Sequence, residues 1–167
     1  QPTFNDNTIT LNNKSPIYGG FKSMTYIGYG DYDGNVNDFI DLDNETLSES
    51  GILKKQNVPY RLNSYNYVSE ATLTIEAGTW IYFNQDAALV ISTNGGMIAQ
   101  GTVNDSIYFT SNVFQNGYWR YIEFEDVAKD ADCIMDYCQV QYGGGYSSSS
   151  ASVILNNNAS ITNSLVL

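Results

Sequence analysis

Histidine is absent from this chain of 167 residues, and with it go the commonest general base, the commonest zinc ligand and the ordinary pH switch. Cysteine is scarce: there are only Cys133 and Cys138, five positions apart. If both lie in one strand they face opposite sides and do not bridge without a kink; they are expected to be small, reduced core or wall residues. Positive charge is also scarce. Seven Lys and Arg against 18 Asp and Glu leave a net charge of −11. That surface repels phosphate backbones, which argues against nucleic acid as a partner. It repels acidic polysaccharides too unless calcium bridges them, and it keeps an exported protein soluble. No run approaches the roughly 18 apolar residues of a membrane helix. No stretch of a dozen residues carries a 3.6-residue apolar period, so little or no helix is expected. There is no charged-then-apolar leader either, and the expectation is that any signal peptide has been removed or left out of this sequence.

What the chain does have is strand and turn chemistry, including 14 Tyr and 14 Gly. From Ala71 to Ala77 every odd position is apolar and every even one polar, the period-two pattern of a strand with one face in and one out. Ile75-Glu76-Ala77-Gly78-Thr79 then returns as Ile98-Ala99-Gln100-Gly101-Thr102, an offset of 23. The triplet Ile81-Tyr82-Phe83 returns as Ile107-Tyr108-Phe109, an offset of 26, so the second copy holds a three-residue insertion near Val103 to Ser106. Short alternating strands repeating in the twenties predict an all-β parallel solenoid of about 23–26 residues per coil. Each coil is expected to lay its Ile-Phe pair over the pair before it. Residues 58–167 read as these coils, and 1–57 as an irregular β-rich leading segment continuous with them. Within that segment, Thr8 to Leu11, with Ile9 and Leu11 on one side, and Met24 to Ile27 read as short strands. Ser147 to Ser150 reads as a loop. The chain stops inside an apolar strand with no polar cap, and solenoids cover their ends. The expectation is a fragment of a larger protein or end-to-end self-association.

Pro59-Tyr60, the two repeat copies, Thr110-Ser111, Gly117-Tyr118-Trp119, Ile122-Glu123-Phe124 and Val140-Gln141-Tyr142-Gly143-Gly144 together resemble the repeats of right-handed parallel β-helix proteins, secreted or surface-bound in bacteria, which share the pectate-lyase-like superfold. The segment after the Trp usually carries small residues in such proteins, whereas Arg120-Tyr121 stands here. The resemblance implies a secreted or cell-surface location and a non-catalytic scaffold or recognition role. The alternative is a protein that binds or degrades polysaccharide on an exposed sheet face. A β-helix hydrolase of the polygalacturonase type would need a histidine and an Arg-x-Lys pair, which this chain lacks, so no catalytic residue is assigned and no cofactor is required.

Three constellations remain. Tyr82 and Tyr108 occupy equivalent outward positions one coil apart, with Trp80 and Trp119 nearby in the pattern, and like side chains in a solenoid stack at about 4.8 Å. Such a ladder offers a platform for sugar rings, or simply braces a sheet face. Arg120, Glu123, Glu125, Asp126, Asp130 and Asp132 form the best base-plus-carboxylate group; Arg120 and Glu123 join the glycan-binding candidates, and a solvated acidic turn is the competing reading. Glu123 is expected to face outward, opposite to Ile122 and Phe124. Finally Asp31, Asp33, Asn35 and Asn37 alternate oxygen donors in a way that suits calcium. Asp38, Asp41 and Asp43 follow them, and a plain Asx-rich turn is the alternative.

Overall fold

The structure, a computed structural model, describes residues 4–145 and 150–167. It is a parallel β-solenoid of about six turns. Three long parallel sheets wrap one core, and a fourth, two-stranded one pairs Asn7–Thr8 with Gly30–Asp31. The widest has seven strands: Ile17–Gly20, Ile40–Asp43, Tyr60–Leu62, Trp80–Phe83, Ile107–Thr110, Cys138–Val140 and Leu165–Val166. The second stacks Thr46–Leu47, Tyr65–Val68, Ala88–Ile91, Ile122–Phe124 and Val153–Leu155. The third stacks Gly51–Leu53, Thr72–Ile75, Gly96–Gln100, Cys133–Asp136 and Ser160–Thr162. A coil visits the sheets in that order and then climbs one strand spacing. Of the serine run, 147–149 lie outside the described residues.

Alternation decides which side chains fill the core. Leu73, Ile75, Ile81, Phe83, Leu89 and Ile91 are all buried and all point inward. Between the sheets the chain turns on single residues with left-handed backbone. Glu70 (φ 56°) and Asn94 (φ 47°) mark the same corner of consecutive coils, and Asn94 Nδ2 donates to the Glu70 carboxylate, tying one corner to the next. Non-glycine residues rarely adopt this conformation, and Asn does so most readily.

Three expectations need correction. The Ile-Phe pairs do not superpose: Ile81 pairs with Phe109 and Tyr82 with Thr110, a shift of two residues. Ile75 pairs with Ala99 rather than Ile98. Stacking offsets are therefore 24 and then 28, so the insertion after Gly101 is four residues. Ser111, small and buried, follows the Thr110 that pairs with Tyr82. Phe83 meets Trp119 instead, with ring centroids 4.2 Å apart and planes 16° apart. The spacing of about 23–26 residues holds for Asn66 to Leu89 and Leu73 to Met97. It holds also for Ile17 to Ile40, Met135 to Ile161 and Gln139 to Leu165, whereas the other long-sheet rungs run from 20, Ile40 to Tyr60, to 36, Met97 to Cys133. Corner loops absorb insertions without disturbing the stacked rungs.

Second, residues 21–24 form a helix, Phe21–Met24, rather than leading into a strand at Met24. It stands where the next coil has Thr46–Leu47, and Phe21 and Met24, three apart and so on one face, plug the core. Third, the first strand spans only Asn7–Thr8, and Leu11 (φ 60°) turns out to 87% exposure while Ile9 packs on the core. Cys133 and Cys138 are unbridged and buried, as expected, and because they lie on separate strands, Cys133–Asp136 and Cys138–Val140, both face inward. A corner at Tyr137 (φ 47°) between their strands reverses the alternation. Burial pushes the Cys138 thiol up to about 12, so it behaves as an inert core residue.

Candidate functional site

The outer side of the seven-stranded sheet collects the residues with unused chemistry. Because Ile81 and Phe83 point inward, Trp80 and Tyr82 must point outward. Parallel register then builds columns along the solenoid axis. One runs Trp80, Tyr108, Gln139, Leu165. Pro59, preceding the Tyr60–Ile81 pair, extends it past Trp80. The other runs Tyr18, Asp41, Arg61, Tyr82, Thr110.

In the first column Trp80 lies flat on Tyr108, with centroids 4.0 Å apart and planes 15° apart. Trp80 remains 42% exposed. Tyr82 meets the Trp80 ring edge-on at 6.1 Å, and Phe39 meets Tyr82 at 5.5 Å. The Arg61 guanidinium sits 4.4 Å from the Phe39 ring centre. Four aromatic rings thus cross four successive strands, about 14 Å at the usual spacing.

Amides and a satisfied ion pair border the rings. Arg61 Nε and Nη2 donate to the two oxygens of Asp41 at 2.6 and 2.8 Å. Ser15 Oγ and Asn63 Nδ2 also donate to that carboxylate. Asn84 Nδ2 donates to Asn63 Oδ1 at 2.5 Å, one rung along. On the other side Gln139 Nε2 donates to Tyr108 Oη at 3.1 Å. The Tyr18 hydroxyl donates to Asp43 at 2.6 Å, a bond that raises the phenol and holds the carboxyl below its ordinary range.

Beside Trp80 a cavity of about 370 Å³ opens over Pro59, walled by Lys55, Gln56, Asn57, Trp80 and Tyr82. Its loop is pinned from several sides. Asn57 Oδ1 accepts from the Tyr32 backbone N–H, and Asn57 Nδ2 donates to Asp31. The Lys55 backbone N–H donates to Glu76, and Gln56 Nε2 to the Gly28 carbonyl. Lys55 Nζ pairs with Asp105 at 2.8 Å. A Cβ at Gly78 (φ 76°) would stand 2.7 Å from that Nζ, so glycine is required both for the turn and for the lysine's position.

Of the residues singled out from sequence, Trp80, Tyr82 and Tyr108 come together, although the ladder partner of Tyr108 is Trp80 and not Tyr82. Trp119 is fully buried, its Nε1 donating to the Gln141 carbonyl. Arg120 and Glu123 lie elsewhere, on the outer side of the second sheet. Arg120 Nε stands 3.6 Å from Asp86, its guanidinium over the Tyr65 ring. Glu123 does face outward between buried Ile122 and Phe124, and it lines a cleft with Glu125, Asp126 and Asn156. Burial, with the charge of Glu125, raises its carboxyl above the ordinary range.

The oxygen donors of the 31–37 loop have separate partners. The Asp31 carboxylate accepts from Asn57, and Asn37 lines a separate cavity with Lys14 and Asp41. Asp33 is exposed. The Asn35 side chain turns back into the chain, donating to the Ile9 and Tyr32 carbonyls and accepting from Asn12. Among the described residues, no three His, Cys, Asp or Glu side chains form a metal-sized group, a set that leaves out the Asn donors of this loop.

Phe39, Arg61 and the 54–59 loop are the contributors that sequence reasoning missed. Register would have exposed the first two, because they precede or follow inward residues Ile40 and Tyr60. No protein-family model, no curated protein and no solved structure matches this chain.

Proposed function

We propose that this chain is a non-catalytic recognition module: a β-helix segment, of the pectate-lyase-like type, of an exported bacterial surface protein, binding polysaccharide on the outer side of its seven-stranded sheet. The observation that carries this reading is the Trp80–Tyr108 stack. It keeps a large indole flat and exposed when tryptophan of that size is ordinarily buried for stability. Aromatic faces bind the C–H faces of sugar rings, and neighbouring amides and hydroxyls bind their hydroxyl groups; both are supplied within one patch. A rigid scaffold lowers the ordering cost of binding. The resemblance to exported β-helix repeats supports the surface location.

The test is a glycan array probed with the labelled chain and with its Trp80→Ala and Tyr108→Ala variants. The expected result is a set of bound glycans lost in both variants, whose Tm stays within a few degrees of the parent. Binding that survives both substitutions removes the sheet face from consideration.

A further inference from the structure

Building on the reading of the sheet face as a glycan surface, we infer that the cavity over Pro59 is a subsite for one pyranose ring of an uncharged glycan, stacked on the face of Trp80 opposite Tyr108. Tyr108 covers one side of the indole at 4.0 Å. Pro59, the preceding rung of the same column, carries too small a ring to cover the other, and the 370 Å³ opening lies there. That volume falls in the range of small-ligand sites.

The walls supply hydrogen bonds that the protein leaves unused. Trp80 Nε1 and the Tyr82 hydroxyl make no hydrogen bond among the described residues, and Tyr82 is half-buried, with its phenol raised by burial. Lys55 Nζ carries three N–H groups and makes one side-chain bond, to Asp105. A flat apolar face with a few polar groups at its edge, on a loop already fixed by four hydrogen bonds, fits a sugar ring.

Charge selects the class of sugar. Lys55 is the one ionised residue lining the cavity, and Asp105 neutralises it. On the adjoining face Arg61 is neutralised by Asp41. The lining of the cavity itself offers no uncompensated cation to a uronate or sulfate, and the net charge of −11 disfavours either.

The experiment titrates the chain with neutral hexasaccharides (cellohexaose, mannohexaose and laminarihexaose) and with oligogalacturonate, following tryptophan fluorescence. Trp119 is fully buried, so a ligand-dependent change reports Trp80. At least one neutral hexasaccharide is expected to bind with little dependence on salt. Tyr82→Phe and Lys55→Met, which remove the polar ends and keep the stems, should each weaken that binding about fivefold, the loss of roughly one hydrogen bond. Neutral binding that Trp80→Ala abolishes but neither polar variant weakens would overturn the cavity and leave the sheet-face reading standing. Binding of oligogalacturonate alone would overturn the uncharged class. Failure of every glycan here and on the array sinks the sheet-face reading itself.

Discussion

On the outer side of the second sheet, Tyr65, Tyr67 and Tyr121 cluster over Ala88 and Val90, which are 0% and 3% exposed although they face away from the core. Tyr65 meets Tyr67 and Tyr121 with ring centres 6.3 Å away in each case, and Tyr121 is itself buried. On the outer side of the seven-stranded sheet, Tyr82 and Tyr108 have no small apolar residues beneath them in register; their neighbours there are Arg61, Trp80, Gln139 and Thr110. The same residue type therefore closes one face and stands up from the other. What differs is the rung it lands on. Ala and Val leave apolar surface that a tyrosine lowers itself to cover. Where the rung holds another aromatic, the gain comes from stacking, which leaves ring edges and one indole face in solvent.

The largest effect that would sharpen this contrast is expected from Asp41→Ala at the edge of the exposed face. Asp41 is 6% exposed and accepts from Arg61, Ser15 and Asn63, so its loss strands a largely buried guanidinium. Breaking one half of such a pair costs about 3 kcal/mol. Denaturant unfolding reads this directly, and a loss below about 1 kcal/mol would mean that the polar border does not anchor the face. Next comes the direct comparison of rings. Tyr121→Ala uncovers Ala88 and Val90 and should cost about 2 kcal/mol. Trp80→Ala removes a stack and should cost about 1 kcal/mol. Glycan binding should show the opposite order, lost with Trp80 and kept with Tyr121. Equal stability losses would erase the distinction between a covering ring and a presented one.

Period-two alternation explains why the face was legible in the sequence while its pairing was not. A register shift of two residues returns every side chain to the same side of the sheet, so Trp80, Tyr82 and Tyr108 read correctly as outward. The same shift exchanges their partners. Aligning Ile81-Tyr82-Phe83 on Ile107-Tyr108-Phe109 maximises identity, yet Ile and Phe are interchangeable in the core, and the length of the corner loop decides which pair meets. The strand-and-corner plan of Ala71 to Gly101 was visible because alternation and glycine agree there. The helix Phe21–Met24 has too few residues to show a period. The common inward direction of Cys133 and Cys138 depends on one left-handed residue, Tyr137, that nothing in its side chain announces. The cavity wall was equally hidden, since the bonds fixing residues 55–57 come from Tyr32, Asp31, Gly28 and Glu76, up to 28 positions away.

The smallest expected effect lies on the closed face and has the opposite sign. Burial and the Glu125 charge hold the Glu123 carboxyl above its ordinary range, with Asn156 Nδ2 as its hydrogen-bond donor. A carboxyl raised on folding binds its proton more tightly in the native state. Its contribution favours the fold at low pH and is lost as pH rises through the folded value. At neutral pH the ionised group is therefore a cost. Glu123→Gln removes that cost and keeps an oxygen for Asn156, so its Tm should lie slightly above the parent's at pH 7. The two melting curves should converge as pH falls to about 4, the ordinary carboxylate range, and below it, where the parent is protonated as well. A constant Tm difference across that span would assign the effect to packing. The acidic cleft would then stand as solvated surface, leaving tyrosine cover as the whole of what sets this face apart from the one carrying Trp80.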